Sequence, residues 1–390
     1  MNIALVIPAF DARLGGAEHW TCQFARLLRA AGHCLHVVAK SFGPEADELE
    51  VVRHPLPAIS NRFRLAEAAA EVVEGLNVDI VHEMGLGWAC DVFQPHGGAR
   101  RASFEQNLLL MPSWLRPIKR SVAPLLPRYR QFAEIERRQF ARRPARMIAL
   151  SKMVARDLHK YYGLDQQQIR IVYNGVDLKR FTPKLKPQFR EATRARLGLK
   201  PDDVLVLIVA QNFVLKGVPC LIRAAGRLKA AGTPVKVAVV GGKSQRPYQQ
   251  MARRHGVADE VLFLGPSADP RPYYAAADIY AQPTFYDPCS LVVLEALACG
   301  LPVITSQFNG AGELITPGLE GTILEDPADD ATLAAQIADL LDADRRERMG
   351  QAAWQLAQQH SLEQNLREML AVYEECLAER SGSTRHSRAA

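Results

Sequence analysis

Residues 285–306 read FYDPCSLVVLEALACGLPVITS, and this stretch decides the fold class. Its pattern predicts a helix from about Leu291 to Cys299. Gly300 follows, and glycine suits the left-handed turn that ends a helix. An apolar strand over Pro302–Thr305 comes immediately after it. A continuous apolar run next to a helix is typical of a parallel strand that is buried on both faces. The stretch therefore predicts an α/β fold.

The same alternation of apolar strands and amphipathic helices recurs along the chain. In the first half we predict helices near 18–31 and 65–76, with strands at Asn2–Pro8, Cys34–Ala39, Val78–Val81 and Arg146–Leu150. In the second half we predict a helix near 219–231, with strands at Val204–Ala210, Lys236–Val240, Val261–Leu264, Ile279–Gln282 and Pro302–Thr305. The chain is thus expected to form two Rossmann-like, doubly wound domains that bind ligands at the carboxyl ends of their strands.

The domain boundaries are predicted from composition. We expect an N-terminal domain over 1–178 and a C-terminal domain over 179–361. The stretch Lys179–Lys200 is rich in Pro, Lys and Arg and is predicted to carry the connection. A helix at about 362–379 is expected to pack back on the first domain, and 380–390 to form a disordered tail.

Composition excludes several classes of protein. The 390 residues are 48% hydrophobic and 23% charged, as in ordinary soluble proteins. No run of about 18 apolar residues is present that would span a membrane. The N-terminal MNIALVIPAF lacks a basic region and is predicted to be a strand instead of a signal peptide. Seven scattered cysteines without a CxxC pair argue against a zinc site or a disulfide framework, so a cytoplasmic location is expected.

Positive charge is concentrated between residues 100 and 160, where fifteen Lys and Arg face only four acids. This excess indicates a polyanionic partner, such as membrane phosphates or an acidic acceptor. Within it, NLLLMPSWLRPIKR (107–120) mixes leucines and Trp114 with Arg116, Lys119 and Arg120. The segment is either a core helix with a basic outer face or an interfacial segment on anionic lipid. Its two prolines interrupt regular helix.

Two carboxylates, Asp287 and Glu295, lie eight positions apart in the opening stretch. Between them, the residues predicted at the helix N-terminus are Pro288, Cys289, Ser290 and Leu291. Unpaired N–H groups at a helix N-terminus suit an anion or sugar hydroxyls, and Glu295 suits a ribose diol. The alternative is an amphipathic helix whose acids are merely solvated.

This stretch resembles the acidic E-x7-E motif of the retaining glycosyltransferases of family four, whose members commonly continue as LLEAMACGLPVI. The resemblance implies the GT-B fold, in which two Rossmann-like domains face each other across a cleft. It also implies that Glu295 holds the ribose of a nucleotide and that Asp287, with the amides after it, contacts the donor sugar. Asp287 stands where the family usually has Glu, so its reach is one methylene shorter.

Three further segments resemble the family. LGGAEHW (14–20) is similar to its GGAE loop, where Gly15 and Gly16 would approach the diphosphate before Glu18 starts a helix. IVAQNFVLKG (208–217) is similar to its phosphate-binding loop. Lys216 matches there, but Gln211, next to Asn212, replaces the usual Arg. Lys243 or Arg246 would have to compensate. YNGVDLKRFTP (173–183) extends the resemblance to nearly the whole chain.

His96 lies in DVFQPHGGARRAS, a glycine-bearing loop. It is either an ordinary loop histidine or, as the resemblance implies, a contact of the donor sugar. Arg100 and Arg101 would then face the acceptor or a lipid surface.

The resemblance thus predicts a retaining hexosyltransferase with Lys216, Asp287 and His96 as its catalytic residues. The expected donor is a nucleotide diphosphate sugar, UDP-glucose in the first instance, with no metal and no other cofactor. The acceptor is expected to be a saccharide or glycolipid, because the pattern is most similar to the lipopolysaccharide core glucosyltransferase I group. The enzyme is expected at the anionic cytoplasmic face of the inner membrane, and no nucleic acid is expected as a partner.

Two alternatives remain open at this point. Nucleotide-sugar epimerases share the fold class but lack the Asp287–Glu295 segment. A catalytically silent nucleotide-sugar-binding protein is suggested by Gln211 and by the Asp at position 287.

Overall fold

The computed structural model describes residues 1–141 and 146–386. The chain divides into two compact units. The first comprises Met1–Tyr173 and the segment from Glu363 onward, and the second comprises Asn174–Leu362. The sequence had placed these boundaries near 178 and 361.

The first unit is built on one parallel sheet of seven strands in the order β5-β3-β1-β6-β7-β8-β9. The strands up to residue 173 are Asn2–Val6 (β1), Ala9–Phe10 (β2), Cys34–Ala39 (β3), Ser41–Phe42 (β4), Val52–Pro55 (β5), Ile80–Glu83 (β6), Val92–Phe93 (β7), Arg146–Ala149 (β8) and Ile169–Ile171 (β9). The helices are Gly16–Ala30 (α1), Glu45–Glu48 (α2), Arg62–Glu74 (α3), Arg100–Leu109 (α4), Leu115–Val122 (α5), Pro127–Ala141 (α6) and Lys152–Tyr162 (α7). The two short strands β2 and β4 pair with each other.

The second unit contains a parallel sheet of six strands in the order β12-β11-β10-β13-β14-β15. Its strands are Leu205–Val209 (β10), Lys236–Val240 (β11), Val261–Gly265 (β12), Ile279–Gln282 (β13), Val303–Ser306 (β14) and Gly321–Leu324 (β15). Its helices are Leu185–Arg196 (α8), Val218–Ala230 (α9), Arg246–Arg254 (α10), Arg271–Ala276 (α11), Leu291–Ala298 (α12), Asp330–Asp339 (α13) and Ala343–Gln358 (α14).

Both sheets are doubly wound, which confirms the predicted fold class. In each unit the chain runs outward from its first strand in one direction and then returns to that strand's other side. The order therefore reverses between β1 and β6 in the first sheet and between β10 and β13 in the second. Ligands of such sheets bind at the carboxyl ends of the strands, beside this reversal point. The fold thus marks one such place in each unit.

Four short strands of the main sheets were not predicted, namely β5, β7, β9 and β15. They have two to four residues each, with the sequences VRHP, VF, IRI and GTIL. Runs this short carry too little apolar periodicity to be recognised. Their place in the sheet is decided by backbone pairing with longer neighbours.

The stretch Lys179–Lys200 does not form the predicted connection but contains α8 of the second unit. Arg190 and Arg194 of this helix both bind Asp278, at 2.6 and 3.2 Å. Arg194 also donates to the carbonyl oxygen of Asp203 at 2.6 Å. The basic residues that suggested a linker therefore fix a helix to the sheet.

The last helix, Leu362–His386 (α15), is held on the sheet of the first unit. The Tyr373 hydroxyl lies 2.7 Å from His82 Nδ1, and Arg380 pairs with Asp91 and donates to the Asp79 carbonyl oxygen at 2.8 Å. The sequence predicted a disordered tail from 380, but α15 holds Arg380 in these contacts and ends at His386. Residues 387–390 of that prediction lie outside the described residues.

Within residues 1–141 and 146–386, no helix has both the length and the apolar composition that a membrane span requires.

Gly217 begins α9 with φ of +82°, a backbone conformation that favours glycine. A Cβ atom at this position would lie 2.1 Å from the carbonyl oxygen of Pro283. The loop after β10 therefore approaches the end of β13 more closely than any side chain permits.

Replacing Gly217 by Ala is expected to destabilise the second unit by about 2–4 kcal/mol, because strain at positive φ adds to a backbone clash. Gly232→Ala is the matched control, since Gly232 has φ of +78° but open space around it. It should cost only about 1 kcal/mol. Urea denaturation of both variants measures the difference. Equal losses would mean that the approach to Pro283 imposes no constraint.

Candidate active site

In the second unit, the loops after β10 and β13 are held together at the reversal point. The Thr284 hydroxyl and the Phe285 N–H both donate to the carbonyl oxygen of Leu215, at 3.0 and 2.9 Å. Leu215 immediately precedes Lys216. The position of the Lys216 backbone is therefore set by the segment that leads to Asp287.

Lys216 and Asp287 form an ion pair at this place. Lys216 Nζ lies 2.5 Å from Asp287 Oδ2, and the two side chains are 21% and 13% exposed. The Asp287 backbone is fixed on both sides, because its N–H donates to the Phe308 carbonyl and its carbonyl accepts from the Gly310 N–H. Two of the three predicted catalytic residues thus meet, although 71 residues separate them in sequence.

Most of the polar groups between Asp287 and α12 are already hydrogen-bonded within the second unit, whereas the sequence predicted that they bind a ligand. Ser290 donates its N–H to Asn309 Oδ1 at 3.3 Å and its hydroxyl to Gln282 Oε1 at 3.0 Å. The Cys289 carbonyl accepts from the Asn174 amide at 2.7 Å. Pro288 has no N–H to offer. Of the four predicted residues, Leu291 is the one whose N–H lies in the first turn of α12, where helix geometry leaves such groups unpaired.

Glu295 lies one turn further along α12 and is half-buried. Its Oε2 accepts a hydrogen bond from the hydroxyl of Tyr274 at 2.8 Å. Burial raises the pKa of Glu295 to about 7, although the Tyr274 bond and the charge of Arg180 oppose the shift. Sequence reasoning missed Tyr274, because the contact joins two helices and leaves no local pattern.

The loop of Gln211 and Asn212 turns the chain from β10 towards Lys216. Both side chains are exposed. Asn212 Oδ1 accepts from the Leu215 N–H at 3.2 Å, and its carbonyl accepts from the Lys216 N–H at 3.0 Å. Asn212 therefore shapes the turn. Lys243 and Arg246, which were considered as replacements for the missing Arg, are also exposed.

In the first unit, the reversal point between β1 and β6 opens into a cavity of about 240 Å³. Glu18 and His96 line it, together with the apolar residues Ile7, Met84 and Phe93. Gly15 is the N-cap of α1, and Gly16 is its first residue. The predicted glycine loop therefore leads directly into the helix that carries Glu18.

His96 is half-buried, and its ring lies 4.7 Å from that of Trp20. Its Nε2 atom is buried and has no hydrogen-bond partner among the described residues. Burial lowers the pKa of His96 to about 3, so the ring is neutral at physiological pH. A neutral imidazole offers one donor and one acceptor, which suits a sugar hydroxyl.

Sequence reasoning missed Glu83, the last residue of β6. It is buried, and its Oε1 accepts from the N–H groups of Gly85 and Leu86 at 3.2 and 2.6 Å. Its Oε2 is buried without a partner among the described residues. Burial raises the pKa of Glu83 to about 7. A carboxylate directly after an apolar run is the signal that was available, and it is also common in solvated strand ends.

Two family descriptions match this chain and cover most of it. "Glycosyltransferase Family 4" matches residues 14–180, and "Glycosyl transferases group 1" matches residues 189–355. A D-inositol 3-phosphate glycosyltransferase of Geodermatophilus obscurus is 32% identical over 379 residues, which are 87% of this chain and 82% of the relative.

The chain belongs to glycosyltransferase family 4. Other relatives of this family 4 member match over shorter segments. D-inositol 3-phosphate glycosyltransferase 2 of Catenulispora acidiphila is 37% identical over 52% of this chain and 49% of the relative. D-inositol 3-phosphate glycosyltransferase of Rhodococcus erythropolis is 34% identical over 51% of this chain and 46% of the relative. The match thus spans about half the length of these two relatives.

Solved structures share the fold of this family 4 member. WaaG, a glycosyltransferase involved in lipopolysaccharide biosynthesis, superposes with a TM-score of 0.79 at 23% identity, over 94% of this chain and 98% of WaaG. Anabaena HepE in complex with UDP and glucose superposes with a TM-score of 0.72 at 20% identity, over 96% of this chain and 99% of HepE. The family and the GT-B fold class predicted from the sequence are confirmed.

Glu83 supports a prediction about pH. Its pKa in the folded chain, about 7, lies above its ordinary value of 4.5, so the folded state binds the proton more tightly. The contribution of this group to stability is complete below pH 4.5 and is lost as the pH rises to about 7, by up to about 3 kcal/mol. Glu83→Gln keeps an acceptor for the two amides but does not titrate.

Urea denaturation at a series of pH values should therefore show a smaller loss of unfolding free energy between pH 4.5 and 7 in Glu83→Gln than in wild type. Glu71→Gln, which changes an exposed glutamate on α3, is the control and should follow wild type. An unchanged pH dependence in Glu83→Gln would show that Glu83 is ionised throughout.

Proposed function

We propose that this family 4 member transfers a hexose from a nucleotide diphosphate sugar, UDP-glucose in the first instance, to a saccharide or glycolipid acceptor with retention of configuration. The observation that carries the proposal is the Lys216–Asp287 pair at the start of α12. It brings a cation, a carboxylate and a helix N-terminus to the reversal point of the second sheet. In a sugar diphosphate, the phosphates suit the cation and the helix N-terminus, and the sugar hydroxyls suit the carboxylate.

The donor is proposed from this chemistry and from a structural neighbour. The bond that breaks joins the anomeric carbon to a diphosphate oxygen, and negative charge develops on the leaving diphosphate. Lys216 and the first-turn amides of α12 would stabilise that charge. Glu295 would accept the ribose hydroxyls. HepE, which shares the fold, has been crystallised with UDP-glucose.

Asp287 and His96 are proposed to orient the transferred sugar. Asp287 can accept from sugar hydroxyls once Lys216 turns to the phosphates, and the neutral ring of His96 has an unused nitrogen. We name no protein nucleophile, and retention remains part of the proposal. The expected independence of metals also stays a prediction.

The acceptor is proposed to be an anionic saccharide or polyol. The three relatives described above are named for D-inositol 3-phosphate, and the structural neighbour WaaG is involved in lipopolysaccharide biosynthesis. D-inositol 3-phosphate carries a phosphate group. An acceptor of this kind suits the basic stretch between residues 100 and 160.

A peripheral membrane location is proposed from an exposed apolar surface on the first unit. Among the described residues, this surface gathers six of the large exposed hydrophobic side chains within one short segment: Leu109, Trp114, Ile118, Val122, Leu125 and Leu126. Trp114 precedes α5, and Ile118 and Val122 follow at intervals of four, so they share one helix face. This arrangement favours the interfacial reading of the segment over the core-helix reading.

The basic residues beside this surface differ in how they are used. Arg116 donates to the carbonyl oxygens of Met111 and Leu109, and Arg120 forms two hydrogen bonds with Glu105. These two hold α4 and α5 together. Lys119 lies over the ring of Tyr129 at 5.8 Å and keeps its charge available for lipid phosphates.

Trp114→Ser combined with Ile118→Ser should reduce binding to phosphatidylglycerol-containing vesicles at least about tenfold, because two large apolar side chains leave the interface. Ile171→Ser with Leu319→Ser removes two exposed apolar side chains elsewhere and is the control. Vesicle co-sedimentation measures both. If the two double variants bind alike, the surface has no special role at membranes.

The donor site is tested by thermal shift with UDP, GDP, ADP and their sugar conjugates, without added metal. Lys216→Gln should weaken UDP binding roughly tenfold and leave uridine unaffected, because a phosphate contact is lost. Asp287→Asn should bind UDP at least as tightly as wild type, because it removes a carboxylate beside the phosphates, but should lose glucose transfer. Equal weakening of UDP by both substitutions would contradict these separate roles.

The same panel separates the alternatives. A shift with UDP-glucose accompanied by an epimerised free donor would indicate an epimerase. Binding without hydrolysis or transfer would indicate a silent nucleotide-sugar-binding protein. Absence of any nucleotide shift would overturn the proposed function.

A further inference from the structure

Three arginines of the first unit converge on one aromatic ring. The guanidinium carbons of Arg100, Arg62 and Arg128 lie 4.0, 5.0 and 5.7 Å from the ring centre of Phe132. They come from the starts of α4, α3 and α6, and Phe132 lies on α6. We call these three side chains the arginine cluster. Three like charges around one ring repel each other, so the arrangement calls for an anion or for local carboxylates.

Local carboxylates neutralise little of this charge. Arg100 lies 3.9 Å from Glu136, whose Oε1 also accepts from the Tyr162 hydroxyl at 2.8 Å. Among the described residues, no carboxylate lies within 4 Å of the guanidinium of Arg62 or Arg128, and both side chains are exposed. Further along α6 the pattern is different, because Arg137 and Arg138 both pair with Glu134. The positive charge is thus left uncompensated at the N-terminal end of this helix.

The cluster is held in place without using all of its donors. Contact with the Phe132 ring leaves guanidinium N–H groups free, and these match the oxygens of a phosphate in pairs. Asn61 caps α3 through the Phe63 and Arg64 N–H groups, and the Arg62 N–H donates to Gln131 on α6 at 3.3 Å. The helix ends that carry Arg62 and Arg128 are therefore joined to each other.

Arg100 connects the cluster to the cavity at the reversal point of the first sheet. It is the first residue of α4, and it lines the cavity together with Gly97, Gly98 and His96. The N-cap residue Ala99 provides no side-chain cap, and the Arg101 N–H in the first turn donates to the Tyr162 hydroxyl at 3.4 Å. The unpaired Nε2 of His96 adds a polar group within the cavity.

We propose that the arginine cluster is a phosphate-binding subsite, and that it binds a phosphate group on the saccharide whose ring enters the adjoining cavity. The cavity of about 240 Å³ has room for one sugar ring, with polar groups from His96 and Glu18. A phosphate on that ring brings nearly two negative charges to three arginines. The identification of this saccharide as the acceptor rests on the proposed function, whereas the binding of a sugar phosphate does not.

Isothermal titration of the full chain with D-glucose 6-phosphate, D-glucose and inorganic phosphate tests the subsite. Wild type should bind glucose 6-phosphate more tightly than either of the other two. The double variant Arg62→Gln, Arg128→Gln should bind it at least about tenfold more weakly, because two charge-assisted contacts are lost at a partly solvated site. The affinity for glucose should stay within about twofold.

The matched control is Arg64→Gln, Arg130→Gln. It removes the same charge from the same two helices, two residues further along each, at exposed positions outside the cluster. It should bind glucose 6-phosphate like wild type. Equal weakening by both double variants would show general charge attraction and overturn the subsite. The subsite would also be overturned if wild type bound glucose 6-phosphate no more tightly than glucose.

Vesicles of phosphatidylcholine, with and without phosphatidylglycerol, distinguish a sugar phosphate from a lipid headgroup. The Arg62, Arg128 variant should keep wild-type binding to the anionic vesicles. Loss of vesicle binding with unchanged glucose 6-phosphate affinity would assign the cluster to lipid headgroups and overturn the proposal. The thermal shift with UDP-glucose should be unchanged in this variant. Thermal shift with UDP-glucose therefore tests the proposed donor site, and titration with glucose 6-phosphate tests this subsite independently.

Discussion

The close approach of Gly217 to the Pro283 carbonyl is the constraint on which the candidate site of the second unit depends. A side chain at 217 would push apart the loops that follow β10 and β13. With glycine there, Leu215 accepts two hydrogen bonds from the β13 loop, and Lys216 reaches Asp287 at 2.5 Å. A backbone contact thus sets the distance between a cation and a carboxylate that are far apart in sequence. The position of Lys216 relative to Asp287 follows from it.

Burial decides protonation at the corresponding place in the first unit. The pKa of His96 falls to about 3 and that of Glu83 rises to about 7 for the same reason, because each charged form would lose its hydration. The reversal point of the first sheet therefore holds a neutral imidazole and a carboxyl group whose pKa is about 7, with unused polar atoms that suit sugar hydroxyls. The second unit instead presents charge.

The basic residues of the chain serve two different purposes. Arg190 and Arg194 fix α8 to Asp278, and Arg116 and Arg120 tie α5 to α4. These are structural uses, in which each guanidinium satisfies carbonyls or carboxylates. The arginine cluster is different, because the Phe132 ring holds the side chains while most of their charge stays uncompensated. Net charge alone could not have separated these uses, since all of them look alike in composition.

The sequence by itself determined the fold class, the family and most of the longer elements. This was possible because the buried faces of strands such as Ile279–Gln282 and of helices such as Leu291–Ala298 require apolar residues, which are visible as a pattern in the sequence. It also singled out Lys216, Asp287 and His96 as candidates, through residue types at recognisable positions in the chain. Their roles remain proposals.

Only the tertiary structure decided which polar groups meet. Tyr274 contacts Glu295, and Arg62 and Arg100 from two other helices contact Phe132, and no local sequence pattern predicts these contacts. It also showed that Ser290 is committed to Asn309 and Gln282, and that α8 lies where a linker was expected. The physical reason is the same throughout. Burial of a strand or helix face requires apolar residues at regular intervals, which the sequence shows. A hydrogen bond or an ion pair between distant segments depends instead on how the packed elements position the ends of those segments.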